Sequence, residues 1–169
     1  MKQDAIEIGG RYTDNKQGVR EVLEIGAHIR TFGADAQALG VRYRVLVAAK
    51  QPDVGTENEI ELKSFAAWAK AKLTADELEA FTIRQAASRI HARLTPGQRA
   101  FLATFCSDCT LGTEVECRRD ELRVAKACFN KGLLAEEPVL SKEQMHFYAH
   151  LTALGLAVLA LVLAHEGEA

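Results

Sequence analysis

The run Val41-Arg42-Tyr43-Arg44-Val45-Leu46-Val47 limits what this chain can fold into more than any other stretch. Successive side chains on a strand point to opposite faces. Val41, Tyr43, Val45 and Val47 therefore share one face, and Arg42 and Arg44 lie on the other. A strand with one apolar and one charged face belongs to an antiparallel sheet covered on one side only. It needs partners nearby. Val19 to Ile25 predicts one, with Leu23 and Ile25 on one face and Val22 and Glu24 on the other. Ile60-Glu61-Leu62-Lys63 predicts a short third. Gly9-Gly10 and Asp14-Asn15-Lys16-Gln17-Gly18 mark turns.

Short strands with turns between them predict a small barrel or curled sheet of the SH3-like kind, taken as a small SH3-like β-barrel over residues 1–70. Ser64-Phe65-Ala66-Ala67-Trp68-Ala69 predicts a helical turn, capped by Ser64, with Phe65 and Trp68 plugging the open end. The pattern then changes. Thr74-Ala75-Asp76-Glu77 is a capping box that opens a helical connector over 71–94. Thr95-Pro96-Gly97-Gln98 is a second, with Pro96 at the first helical position, where its missing N–H costs nothing. Phe101, Leu102 and Phe105 are its predicted buried face. A further helix is expected from about Arg118 to Lys131, with Leu122, Ala125 and Phe129 inward and Gly132 as left-handed cap. His146 to Leu151 alternates weakly, and Thr152 starts a last helix through Leu163. Ser141-Lys142-Glu143-Gln144 is a competing capping box, which would make 142–164 one long helix. The fold class expected is α+β.

The order helix, helix ending in Gly132-Leu133-Leu134, hairpin, helix resembles winged helix-turn-helix domains over 95–169. His146-Phe147-Tyr148-Ala149-His150-Leu151-Thr152-Ala153-Leu154-Gly155 carries most of the likeness: a second wing strand, then Leu-Thr-x-x-Gly leading into a closing helix. The stretch 107–117 departs from that pattern: a second helix belongs there, and Ser107 to Thr113 is a poor helix former. Ile6-Glu7-Ile8-Gly9, Arg20–Gly26, Gly40–Tyr43 and Ser64–Ala69 are similar to small proteins of proteobacterial phages and prophages. That likeness implies a mobile-element origin and no particular activity.

Arg119, Arg123, Lys126 and Asn130 are spaced four, three and four apart, one polar stripe on a helix, flanked by Arg118 and Lys131. In a winged helix this element enters the major groove, where Arg reads guanine and Asn adenine. The resemblance thus implies a phage or prophage accessory protein that binds DNA through these six residues. Charge opposes it. The net charge is -2 and residues 95–169 hold more acidic than basic side chains, so general phosphate attraction is weak. The alternative is a protein-interaction module that binds and inhibits a host protein without touching DNA. A homodimer through the apolar C-terminal helix is a further expectation.

Cys106-x-x-Cys109, Cys117 and Cys128 suit four-thiolate zinc only in their first half, because the second pair is too widely spaced. They are expected to be free thiols. Redox catalysis by Cys106-x-x-Cys109 needs a thioredoxin-like strand-to-helix setting, which the pattern lacks. His146 and His150 lie outside any zinc-protease frame and are not expected to bind metal. Arg20, Arg42 and Arg44 form either a basic patch or cross-strand pairs with Glu21, Glu24 and Glu61. Tyr12, Phe65 and Trp68 are either a peptide-binding aromatic cluster or core. Nothing matches a phosphate loop or a nucleophile elbow, so no enzyme activity and no cofactor are expected. The N-terminus lacks an apolar signal and Leu151 to Ala164 is short of the roughly 20 residues that span a bilayer. A cytoplasmic protein with no membrane partner is expected.

Overall fold

A computed structural model describes residues 1–29 and 38–166 and shows an α+β protein. The chain divides into two compact units, Met1–Thr82 and Ile83–Ala169. The division falls inside helix α2 (Ala75–His91), the connector predicted over 71–94.

In the N-terminal unit, β1 (Arg11–Thr13), β2 (Val19–Gly26), β3 (Gly40–Val47), β4 (Glu57–Glu61) and β5 (Ala71–Lys72) form one antiparallel sheet. Their order is β4-β3-β2-β1-β5. The sheet is open, which corrects the closed barrel expected from the sequence. Its two edges, β4 and β5, do not pair among the described residues. β5 is only two residues long, too little backbone to bridge the gap. The predicted face of β3 is buried at Val41, Tyr43, Val45 and Val47.

The predicted face of β2 is not realised. Val19 and Val22 are fully buried instead, three residues apart. They lie on opposite faces: Val22 packs in the core around Phe65, and Val19 packs with Val47 and Phe81. The ladder between β2 and β3 also carries two register shifts. Arg20 faces Val45 where regular pairing would give Leu46, and Glu24 faces Arg42 with Leu23 left over. Each bulge adds a residue to one strand and twists the ladder, and neither extra residue, Leu46 or Leu23, falls between Val19 and Val22.

Helix α1 (Leu62–Trp68) covers the sheet. It starts directly from β4, without a side-chain cap, and Ser64 lies inside its first turn rather than ahead of it. Leu62 is the reason: it is buried, and its amide already bonds to the Leu39 carbonyl at 2.7 Å. Phe65 is fully buried, with Tyr12, Tyr43 and Trp68 rings 5.8, 5.6 and 5.5 Å away. The Tyr12 hydroxyl accepts from the Glu7 amide and donates to the Ala5 carbonyl, so this buried phenol is satisfied.

In the C-terminal unit, α3 (Pro96–Ala103) carries the predicted capping box: Thr95 Oγ1 accepts from the Gln98 amide and Gln98 Oε1 from the Thr95 amide. Residues 114–118 then form β6 (Glu114–Arg118), which pairs antiparallel with β7 (His146–His150). Leu134 adds a single bridge to Leu151. β7 excludes the single helix over 142–164, since the last helix, α5, is Ala153–Glu166.

The helix expected over Arg118–Lys131 is shorter: α4 spans Leu122–Phe129. Arg118 ends β6, and Arg119–Glu121 is one 3₁₀ turn. The alternation Val115, Cys117 against Glu114, Glu116, Arg118 extends the strand to 118 and delays the helix. Past α4, Gly132 has φ 72°. Its amide bonds to Phe129 O at 2.7 Å, and the Leu133 amide to Cys128 O at 3.1 Å. Those two bonds make a Schellman stop.

Thr152 ties the end of this unit together. Its hydroxyl donates to the Gly132 carbonyl and accepts from the Gly155 amide, capping α5. A Cβ on Gly155 would run into the Leu133 carbonyl oxygen. Thr and Gly of the Leu-Thr-x-x-Gly phrase thus have separate structural duties. Val158, Leu159 and Val162 of α5 fill this unit's own core beside Phe101, Phe105 and Phe147. Those three side chains are not available to the homodimer expected through this helix.

Candidate functional site

The six residues predicted to contact DNA come from four pieces of backbone. Arg118 belongs to β6, Arg119 to the 3₁₀ turn, Arg123 and Lys126 to α4, and Asn130 and Lys131 to its C-terminal turn. All are exposed except Lys131, which is half-buried. Two are already engaged. Arg119 Nη1 donates to the Lys142 and Gln144 carbonyls at 2.9 and 2.8 Å, stapling that segment down. Lys126 lies 3.5 Å from Glu137. Arg118, Arg123 and Lys131 have no ion pair among the described residues. Asp120 and Glu121 sit within the same surface, and Glu121 accepts from the Arg118 amide. The residues do not form a stripe on one helix: Arg123 and Lys126 alone lie on α4, the Arg119 guanidinium is spent on structure, and Asp120 and Glu121 dilute the charge.

The four cysteines separate into two kinds. Cys117 and Cys128 are buried in the core, where burial first of all pushes each thiol up to about 11. Cys106 is exposed and Cys109 is half-buried at the edge of that core, with their sulfurs 3.0 Å apart. No group of three or more His, Cys, Asp or Glu side chains is placed to hold a metal among the described residues. His146 and His150 share the outer face of β7 and lie 3.3 and 3.8 Å from Glu116 and Glu114 of β6.

The N-terminal unit carries a groove of about 550 Å³, lined by the β1–β2 turn, the β3–β4 hairpin and Trp68. Arg20 is its central side chain. The guanidinium carbon sits 4.0 Å from the Trp68 ring centre and 4.5 Å from that of Tyr43. Burial lowers its pKa slightly, against the opposing pull of Tyr43 and Asp14, and an arginine stays charged throughout. Asp14 forms the rim. Burial alone would raise its carboxyl. The amides of Gly18, Lys16 and Gln17, all donating to Oδ1, outweigh that and hold it below the usual range. Thr56 and Asn58 also line the groove.

No family model matches the chain, and no curated protein or solved structure matches it either.

The groove therefore rests on its geometry. Its residues were only partly legible. Trp68 belonged to the predicted aromatic cluster, but Tyr12 and Phe65 are fully buried, leaving Trp68 as the member that reaches the surface. The predicted basic patch also divides. Arg42 pairs with Glu24 and Glu59 at 3.1 and 3.0 Å, and Arg44 with Glu57 at 2.8 Å. Glu59 and Glu57 thus take the places expected for Glu61 and Glu21, while Arg20 leaves the set for the two rings. Arg20 stands two residues from Val22, opposite Val45, and so shares the face that carries Tyr43.

Proposed function

We propose that the protein is a protein-interaction module whose N-terminal groove takes an extended segment of a partner, with a carboxylate of that segment paired to Arg20. The observation that carries this reading is the Arg20 guanidinium held between Trp68 and Tyr43. A guanidinium fixed by two rings loses little freedom on pairing, and its fork matches a carboxylate in two parallel hydrogen bonds. The strand order β4-β3-β2-β1-β5, with a helical element between β4 and β5, supports an SH3-like kinship for this unit. Aromatic-lined grooves in such domains bind extended peptides. The partner proposed is a host or phage protein, in keeping with the likeness of the N-terminal segments to phage and prophage proteins.

Trp68 is the only tryptophan, so its emission reports on the groove alone. Titration with a pool of short peptides bearing Asp and Glu should change that emission saturably. The change should vanish in Arg20→Met and weaken with a matched Asn and Gln pool. Equal response to both pools, or none, would sink the reading.

The exposed line Arg119, Arg123, Lys126, Asn130 favours a second reading, nucleic-acid binding through α4. The β6–β7 pair, the Leu134–Leu151 bridge and the helix after them support the winged-helix likeness. Duplex DNA should then bind with a steep inverse dependence on salt. Arg123→Ala combined with Lys126→Ala should abolish binding and leave folding intact. Absence of a complex at low salt removes this reading and leaves the first untouched.

A further inference from the structure

We propose that Cys106 and Cys109 are a dithiol site that closes to an intramolecular disulfide by exchange with a low-molecular-weight disulfide. Three observations converge on it. The chain leaves α3 through a β-turn in which the Cys109 amide bonds to the Cys106 carbonyl at 3.2 Å. A β-turn holds its end Cα atoms within about 7 Å, and a disulfide needs roughly 4.4–6.8 Å. The sulfurs are already 3.0 Å apart, against roughly 2.05 Å for the bond, so closure asks for about one ångström of movement. Access is selective as well: Cys106 is exposed and Cys109 half-buried, while Cys117 and Cys128 are buried.

The reaction balances without any further oxidant. Cys106, the exposed thiol, loses its proton to water and attacks one sulfur of the small disulfide, releasing one thiolate and leaving a mixed disulfide on Cys106. The Cys109 thiolate then attacks the Cys106 sulfur, forming the internal bond and expelling the second small thiolate. Two protein thiols are oxidised, one small disulfide is reduced to two thiols, and the released thiolates take up the two protons. The first step is throttled. The Asp108 carboxylate, foremost, and Cys109 hold the Cys106 thiol up to about 11. Thiolate at neutral pH is scarce, and its fraction rises about tenfold per pH unit below that value.

The test uses the full chain and oxidised glutathione, read by intact mass and by alkylation of the folded protein. The wild type should lose two hydrogens in mass, with Cys106 and Cys109 both protected. Cys106→Ser and Cys109→Ser should each stop at a glutathione adduct. Asp108→Asn should close faster than wild type at neutral pH, and the wild-type rate should climb with pH. A wild type that accumulates the adduct as the single variants do, or that keeps both thiols open to alkylation, overturns the proposal.

Discussion

Gly155 shows how little room some positions leave. Its Cα lies against the Leu133 backbone, and a single methyl group there meets a carbonyl oxygen that cannot turn aside. Gly155→Ala should therefore destabilise the C-terminal unit by about 3 kcal/mol, at the upper end of overpacking costs. The midpoint of chemical unfolding checks this. Asp14 has a different kind of constraint, three amides on one carboxylate oxygen. Its folded pKa is depressed, so its contribution is present above the unfolded value and is lost as pH falls through the folded one. The stability advantage of wild type over Asp14→Asn should hold at neutral pH and shrink below pH ~4. An advantage independent of acid would mean that the carboxylate is not what the turn needs.

At the level of elements, local rules were read correctly wherever a few neighbouring residues decide the outcome. Both capping boxes form as the spacing of Thr and Glu or Gln requires. Gly132 takes the left-handed conformation that ends α4. Thr95→Ala should cost about 1 kcal/mol through the lost cap. Gly132→Ala should cost about 1–2 kcal/mol through a side chain forced to positive φ. Thermal unfolding of each variant tests the pair. Where a distant element decides, the reading failed. Val19 is buried because Val47 and Phe81 cover its face of the sheet, and Val22 because the core around Phe65 covers the other; the pattern of β2 alone shows neither. β6 was missed although Val115 and Cys117 alternate with charged neighbours, because the expected helix claimed Arg118. The groove was hardest to foresee, since Arg20, Tyr43 and Trp68 meet only after the sheet has curved.

Among the described residues there are two large, separate cores, one around Phe65 and one around Phe101, Phe105 and Phe147, and a smaller cluster of Val19, Val47 and Phe81. Proteins built so can depart from two-state unfolding. Calorimetry should resolve two transitions. Phe65→Leu should lower only one of them, and Phe105→Leu only the other. A single transition moved by both variants would show that the units unfold as one. The Thr152 junction also bears on how the protein is made. The first unit has all its strands once synthesis passes Lys72, so it can collapse while the ribosome is still at work. The second must wait longer: β6 waits for β7, and the carbonyls of Gly132 and Leu133 wait for Thr152. For roughly thirty residues of elongation its nascent apolar surface stays uncovered, so this half is the one that would engage chaperones during translation.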